Sequence, residues 1–176
     1  MNQDNGIIIR TTKLTETSLI VTFITETHGL IKAVAKGARR PKSPFRGKID
    51  LFFQADICWR TSKNTELHTL TEISNIEYKE TLRKKYTSTS LAAYFCKLLE
   101  TLCEPDIPAE GFHDLLSRAL NYLCEQPANM NALNHFEKQA CQLLGIYNPY
   151  KSSKNQLLSV ISHFPKLRQT CISELS

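Results

Sequence analysis

Catalytic signatures are missing from this 176-residue sequence. It has no phosphate-cradling GxxxxGK loop, no GxGxxG turn, no HExxH helix and no serine framed as a nucleophile elbow. Acidic residues in its first half are few and isolated, so the paired carboxylates of a metal-dependent nuclease are not evident. The five histidines, His28, His68, His113, His135 and His163, are scattered. These gaps argue against an enzyme, and no catalytic residue, metal ligand or cofactor is assigned. No run of 18 apolar residues occurs, so no membrane-spanning helix is expected. The six cysteines never form a CxxC pair, and their wide spacing argues against a zinc site. The first five residues are polar and the apolar run after them is very short, so no secretory signal is expected. The expectation is a cytoplasmic protein with reduced thiols in its core.

What is present is a lopsided charge. The chain carries 22 basic and 17 acidic residues, a net +5. Residues 1–99 hold 16 of the basic and 9 of the acidic ones, a balance of +7. Residues 100–176 hold 6 and 8, a balance of −2. A basic front and a mildly acidic rear suggest two parts with different partners.

The patterning also changes along the chain. Ile7-Ile8-Ile9, residues 19–24, 30–36, 49–59 and 67–78 read as five strands, rich in β-branched and aromatic residues. Glu26-Thr27-His28-Gly29 is a turn, which makes residues 19–36 a hairpin. Five antiparallel strands in so short a span fit a small barrel, either of the oligonucleotide-binding (OB) type or SH3-like. From Tyr86 the period becomes helical. Leu91, Tyr94, Phe95, Leu98, Leu99 and Leu102 share one face, Ser88 or Ser90 is a candidate cap, and Pro105 and Pro108 follow the end. A second helix runs from Phe112 to Leu123 and a third from Leu133 to Leu144, with Gly145 as a stop. One or two shorter helices are expected between Asn155 and Leu175, interrupted near Pro165. The fold class is therefore α+β: an N-terminal five-stranded OB-type barrel over residues 1–79 and an all-α bundle over 80–176.

The densest chemistry lies between the third and fourth strands. Seven cations, Lys32, Lys36, Arg39, Arg40, Lys42, Arg46 and Lys48, occur with no acid among them. Strand alternation puts Lys32 and Lys36 on one face. Gly, Pro and Ser place the rest on a flexible loop, suited to following a phosphate backbone and releasing its counterions. Phe45 sits among them, either stacking on an unpaired base or anchoring the loop to the barrel. A second cluster, Lys79, Arg83, Lys84 and Lys85, joins barrel to bundle and extends the basic stretch. Charge alone leaves DNA, RNA and acidic proteins as candidate partners.

Residues 25–43, which read Thr-Glu-Thr-His-Gly-Leu-Ile-Lys-Ala-Val-Ala-Lys-Gly-Ala-Arg-Arg-Pro-Lys-Ser, resemble the signature segment of the RecO family of bacterial recombination mediators. Glu16-Thr17-Ser18-Leu19 resembles that family's pattern between the first two strands, and the likeness extends more loosely to residues 91–102 and 136–149. The resemblance implies an OB barrel followed by a helical domain. It also implies binding of single- and double-stranded DNA, strand annealing, and help in loading the recombinase onto strands coated by single-strand-binding protein. A partnership with RecR and a place at the bacterial nucleoid follow from it as well. Lys36, Arg39 and Arg40 would be the DNA contacts, with Arg46 a fourth. The chain departs from the family where many members carry a four-cysteine zinc module, since Tyr150-Lys151-Ser152-Ser153 stands after Pro149. It resembles a short version lacking that module, and zinc is not carried over. The expected function is a non-enzymatic DNA-binding recombination mediator. An RNA-binding OB module and an adaptor for acidic tails are the alternatives, with a nuclease more distant.

Overall fold

The computed structural model describes residues 1–175. Five strands form a closed barrel: β1 (Asn2–Lys13), β2 (Leu19–Thr25), β3 (Gly29–Ala35), β4 (Gln54–Arg60) and β5 (Leu67–Glu77). The order around the barrel is β1-β2-β3-β5-β4, and β4 pairs back to β1. All pairings are antiparallel except β3 with β5, where Lys32, Ala33 and Val34 lie beside Leu67, His68 and Thr69 in parallel. This strand order is that of the OB barrel and separates it from the SH3-like alternative.

β1 is longer than its isoleucines suggest. Its polar start, Asn2 to Asn5, pairs with β4, and its far end pairs with β2. A register shift between Ile8 and Arg10 bends the strand so that it serves both neighbours. Ile8 faces the barrel core, whereas Ile7 lies in a second buried row with Ile24 and Leu30 on the opposite face, so adjacent isoleucines are both buried although a regular strand alternates. β4 starts at Gln54, five residues after the expected Ile49. Phe52 adopts a left-handed φ of 71° there, and its N–H donates to the Ile8 carbonyl while Ile8 N–H donates to Phe53. The intervening residues are thus a tight connection pinned to β1.

The barrel interior is filled by Ile8, Val21, Phe23, Ile31, Ile57 and Trp59 among others, all 2% exposed or less. Residues Cys103–His113 belong to the same compact unit as Met1–Tyr78. Leu30 forms a parallel bridge to Pro105, and Asp106 N–H donates to the Leu30 carbonyl. Gly29 is required at this crossing. Its φ is +72°, and a Cβ there would come within 1.9 Å of the Ile107 carbonyl oxygen.

The second compact unit holds Lys79–Leu102 and the chain from Asp114 onward. A 3-10 turn (Glu80–Lys84) leads into α1 (Tyr86–Leu102), α2 (Phe112–Glu125), α3 (Met130–Leu143), α4 (Ser153–Leu157) and α5 (Leu167–Leu175). The expected helices are therefore present in their expected order. Ser88 and Ser90 do not cap α1, because polar residues carry the helix back to Tyr86 and leave both serines inside it. Phe95 of α1 stacks on Phe136 of α3 with ring centres 3.9 Å apart. Asn129 caps α3 by accepting from the Ala132 N–H. Glu137 is buried and ionically paired, with Arg168 Nε 2.7 Å and the Tyr94 hydroxyl 2.5 Å from its Oε1.

No helix among the described residues is long and apolar enough to cross a membrane. All six cysteines are free, and Cys96, Cys103, Cys141 and Cys171 are buried. Burial pushes the thiols of these four up, that of Cys103 to about 12.

Candidate nucleic-acid interface

The basic segment begins on β3. Ala33 and Ala35 point into the barrel, so Lys32, Val34 and Lys36 face outward, as alternation requires. Lys32 is half-buried, and its Nζ lies 3.7 Å from Glu66 Oε2. The strand register sets Arg10 opposite Thr22 and Thr22 opposite Lys32. Arg10 thereby joins Lys32 in one outward row across three strands. Nothing in the local sequence of β1 marked it; only the register does.

After β3 the chain enters residues 37–48, and here the structure corrects the expectation of a flexible loop. Successive turns are closed by backbone bonds from Ala38 to Ala35, Arg40 to Gly37, Ser43 to Arg40, Arg46 to Ser43 and Lys48 to Phe45. Gly37 and Gly47 supply left-handed φ values of 67° and 71° at the two ends. The segment is also tied to the β1–β2 connection. Arg39 N–H donates to the Thr17 carbonyl at 2.9 Å, and Gly37 N–H donates to Ser18 Oγ at 3.2 Å. The cations therefore ride on a folded loop.

Phe45 does not stand among the cations as a stacking platform. It is 7% exposed and belongs to the barrel core, so it anchors the loop from beneath. Burying an aromatic ring outweighs leaving it in water by a few kcal/mol, on the order of 2. Of the cations, Lys48 is partly engaged, its Nζ donating to the Ile73 carbonyl at 3.1 Å. Lys36, Arg39, Arg40, Lys42 and Arg46 are exposed. Arg39 Nη1 donates to the Glu16 carbonyl at 3.2 Å and Arg46 Nη1 to the Pro41 carbonyl at 3.1 Å. These single bonds orient each guanidinium and leave most of its five donors available. Among the described residues no acidic side chain pairs with any of these five.

The second cluster divides. Lys79 is buried and its ammonium donates to Asn121 Oδ1, which makes it structural. Arg83 and Lys84 are exposed on the 3-10 turn, with Lys85 beside them. These residues belong to the helical unit, not to the barrel that bears the loop.

The barrel's histidines are held in fixed roles. His68 Nδ1 accepts from the Ser62 N–H, so Nε2 carries the proton and donates to Asp106 at 2.6 Å. His28 Nδ1 lies 2.8 Å from Asp4 Oδ2. Burial pushes the Asp4 carboxyl up, but hydrogen bonds from His28, Thr27 and Asn5 outweigh it and hold the carboxyl below its ordinary value. Asp4 thus fastens the β2–β3 turn to β1. Among the described residues no group of three His, Cys, Asp or Glu side chains is placed to hold a metal ion.

Comparison with known proteins places this geometry. The model of the Recombination protein O N terminal matches residues 1–78, and that of the Recombination protein O C terminal matches residues 83–152. A DNA repair protein RecO from Salinibacter ruber is 30% identical over 142 residues, covering 80% of this chain and 55% of the relative. One from Rhodopirellula baltica is 32% identical over 140 residues, covering 80% and 52%. One from Bacillus pumilus is 33% identical over 123 residues, covering 70% and 47%. The chain spans about half the length of these curated relatives. The first matched region ends at residue 78, where the strand-built part of the barrel unit also ends, and the second falls on the helices. With barrel and helices each covered by their own model, the chain belongs to the RecO family.

Proposed function

We propose that this chain is a DNA-binding mediator of recombinational repair that acts without a chemical step of its own. The observation that carries the reading is the folded loop after β3, with Lys36, Arg39, Arg40, Lys42 and Arg46 exposed and unpaired by acids. Lys32 and Lys48 flank them, and Arg10 lies in the Lys32 row. Such an array neutralises backbone phosphates and releases counterions, for single and double strands alike. Neutralisation also lowers the repulsion between two complementary strands, which is all that annealing needs. Arg83 and Lys84 offer further phosphate contacts from the helical unit. The less basic helices are left for protein partners, for which the family resemblance suggests RecR and single-strand-binding protein, and through them assistance to recombinase loading.

The test is binding to a labelled single strand across a salt series, with the wild type and the Arg39→Ala/Arg40→Ala double variant. Each phosphate contact contributes a slope of about 0.7 on single strands, so losing two flattens the slope by about 1.4. An unchanged affinity and slope would remove these arginines from the interface. An annealing assay with and without single-strand-binding protein then tests the mediator role.

A further inference from the structure

Beneath the basic loop the barrel core reaches the surface. A hollow of about 360 Å³ opens there. Its floor is apolar, made by Leu19, Ala38, Phe45 and Ile49. Leu19, Ala38 and Ile49 are partly buried side chains packed against the barrel core, and Phe45 is part of that core. Its rim is cationic, made by Arg39, Arg40 and Arg46.

Each arginine is positioned by a specific contact. Arg39 is drawn toward the β1–β2 connection by its bond to the Glu16 carbonyl. Arg46 is held by the Pro41 carbonyl. The Arg40 stem lies across Gly37, where a Cβ would meet its Cδ at 3.4 Å. Three arginines and the four apolar side chains of the floor thus line the same hollow.

Phosphate recognition alone does not account for this shape. A phosphate gains nothing from an apolar floor, and surface cations bind it as well on a convex loop. A duplex keeps its bases stacked inside and presents phosphates, sugars and groove edges. An unpaired nucleotide matches both parts. Its base is flat and apolar on its faces, while the phosphates on either side are anionic. Arg planes stack on such splayed bases, and apolar walls shield them from water.

We infer that the hollow under residues 37–48 is a base-binding subsite, which takes one unpaired nucleobase while Arg39, Arg40 and Arg46 hold the flanking phosphates. This rests on the proposed role of the loop in DNA binding and adds a preference for single strands. The base enters over Ala38, between the part-exposed side chains of Leu19 and Ile49, and discrimination between sequences is weak because the floor offers shape and no side-chain hydrogen-bonding group.

The experiment compares two single strands of equal length and phosphate number, one of mixed sequence and one carrying abasic residues throughout. Each is titrated into the full chain and into an Ala38→Leu variant, at several salt concentrations. The wild type is expected to bind the base-bearing strand about tenfold more tightly, the gain of roughly one stacked base, with the same salt slope for both. Ala38→Leu fills the hollow without adding an aromatic ring, so its two affinities should become equal at the abasic level while the slope stays. Equal wild-type affinities with an intact slope would overturn the subsite and leave the phosphate interface standing. A tenfold difference that survives in Ala38→Leu would place base contacts elsewhere and also overturn it. Lack of binding to either strand would overturn the DNA-binding reading itself.

Discussion

Replacing Arg168 by alanine should destabilise the helical unit by about 4 kcal/mol, a cost that follows from one buried carboxylate. The Glu137 side chain is 1% exposed and receives two bonds from the Arg168 guanidinium, at 2.7 and 3.1 Å, plus one from the Tyr94 hydroxyl at 2.5 Å. Removing Arg168 leaves an ionised group in the interior with one neutral donor, and breaking a buried pair this way costs about 3–5 kcal/mol. The lost contact of Arg168 over the Phe164 ring, 4.7 Å away, adds about 0.5 kcal/mol. Tyr94→Phe removes only a hydrogen bond to a charged group, worth about 2 kcal/mol. α5 depends on this pair more than its length suggests. Its fully buried side chain is Cys171 alone among those described, and a cation in its first turn is opposed by the helix dipole.

The assay can separate the two units. The sole tryptophan, Trp59, is buried in the barrel, so its fluorescence reports that unit, whereas far-ultraviolet circular dichroism follows the helices. With a urea slope of about 2 kcal/mol/M, Arg168→Ala should lower the helical midpoint by about 2 M and Tyr94→Phe by about 1 M. The double variant Glu137→Leu/Arg168→Met should recover most of the loss, because no uncompensated charge remains. A double variant as unstable as Arg168→Ala would refute the reasoning, since the damage would then be lost packing.

Two further outcomes test the barrel and the buried thiols. Gly29→Ala should cost more than 2 kcal/mol, by the Trp59 midpoint, because a left-handed φ and the Ile107 carbonyl both oppose a Cβ. Gly47→Ala, with φ +71° but open space around it, should cost about 1 kcal/mol; equal losses would dismiss the close approach as the cause. Stability should fall at alkaline pH. Cys96, Cys103, Cys141 and Cys171 have folded pKa values raised above the ordinary 9.0, so the unfolded chain releases protons that the folded chain retains. Their contribution is whole below about pH 9 and is lost as pH rises toward the folded value, about 12 for Cys103. Urea midpoints that stayed level from pH 8 to about 10.5 would contradict this.

Much of the fold was legible because its driving pattern is local. The helical period from Leu91 to Leu102 and the hairpin around Gly29 depend on neighbours a few residues apart, and both stand where expected. What was not legible depends on partners far along the chain. Asn2 to Asn5 are polar and become a strand only because β4 lies beside them. Residues 49–53 have strand composition but turn, since Phe52 and Phe53 are bonded to Ile8. Arg10 joins the basic row through a register that no spacing within β1 discloses. The site followed the same division. A one-signed run from Lys32 to Lys48 is plain in the sequence, but whether Phe45 points to solvent or to the core is decided by its packing among core side chains from distant strands.

That burial of Phe45 changes what binding by this loop, as proposed above, would cost. A disordered basic loop must be ordered on the nucleic acid, at about 1–2 kcal/mol for each residue whose backbone is fixed. Here residues 37–48 are already ordered by five turn bonds, three ties to the β1–β2 connection and one aromatic anchor. Folding of the barrel has already met this ordering cost, so in the proposed complex the attraction of the exposed cations would go into affinity. The charge run and the Gly, Pro and Ser that interrupt it therefore act together. The cations supply the attraction, the turn residues shape the backbone so that Arg39, Arg40 and Arg46 ring one hollow, and Phe45 fixes that shape to the core.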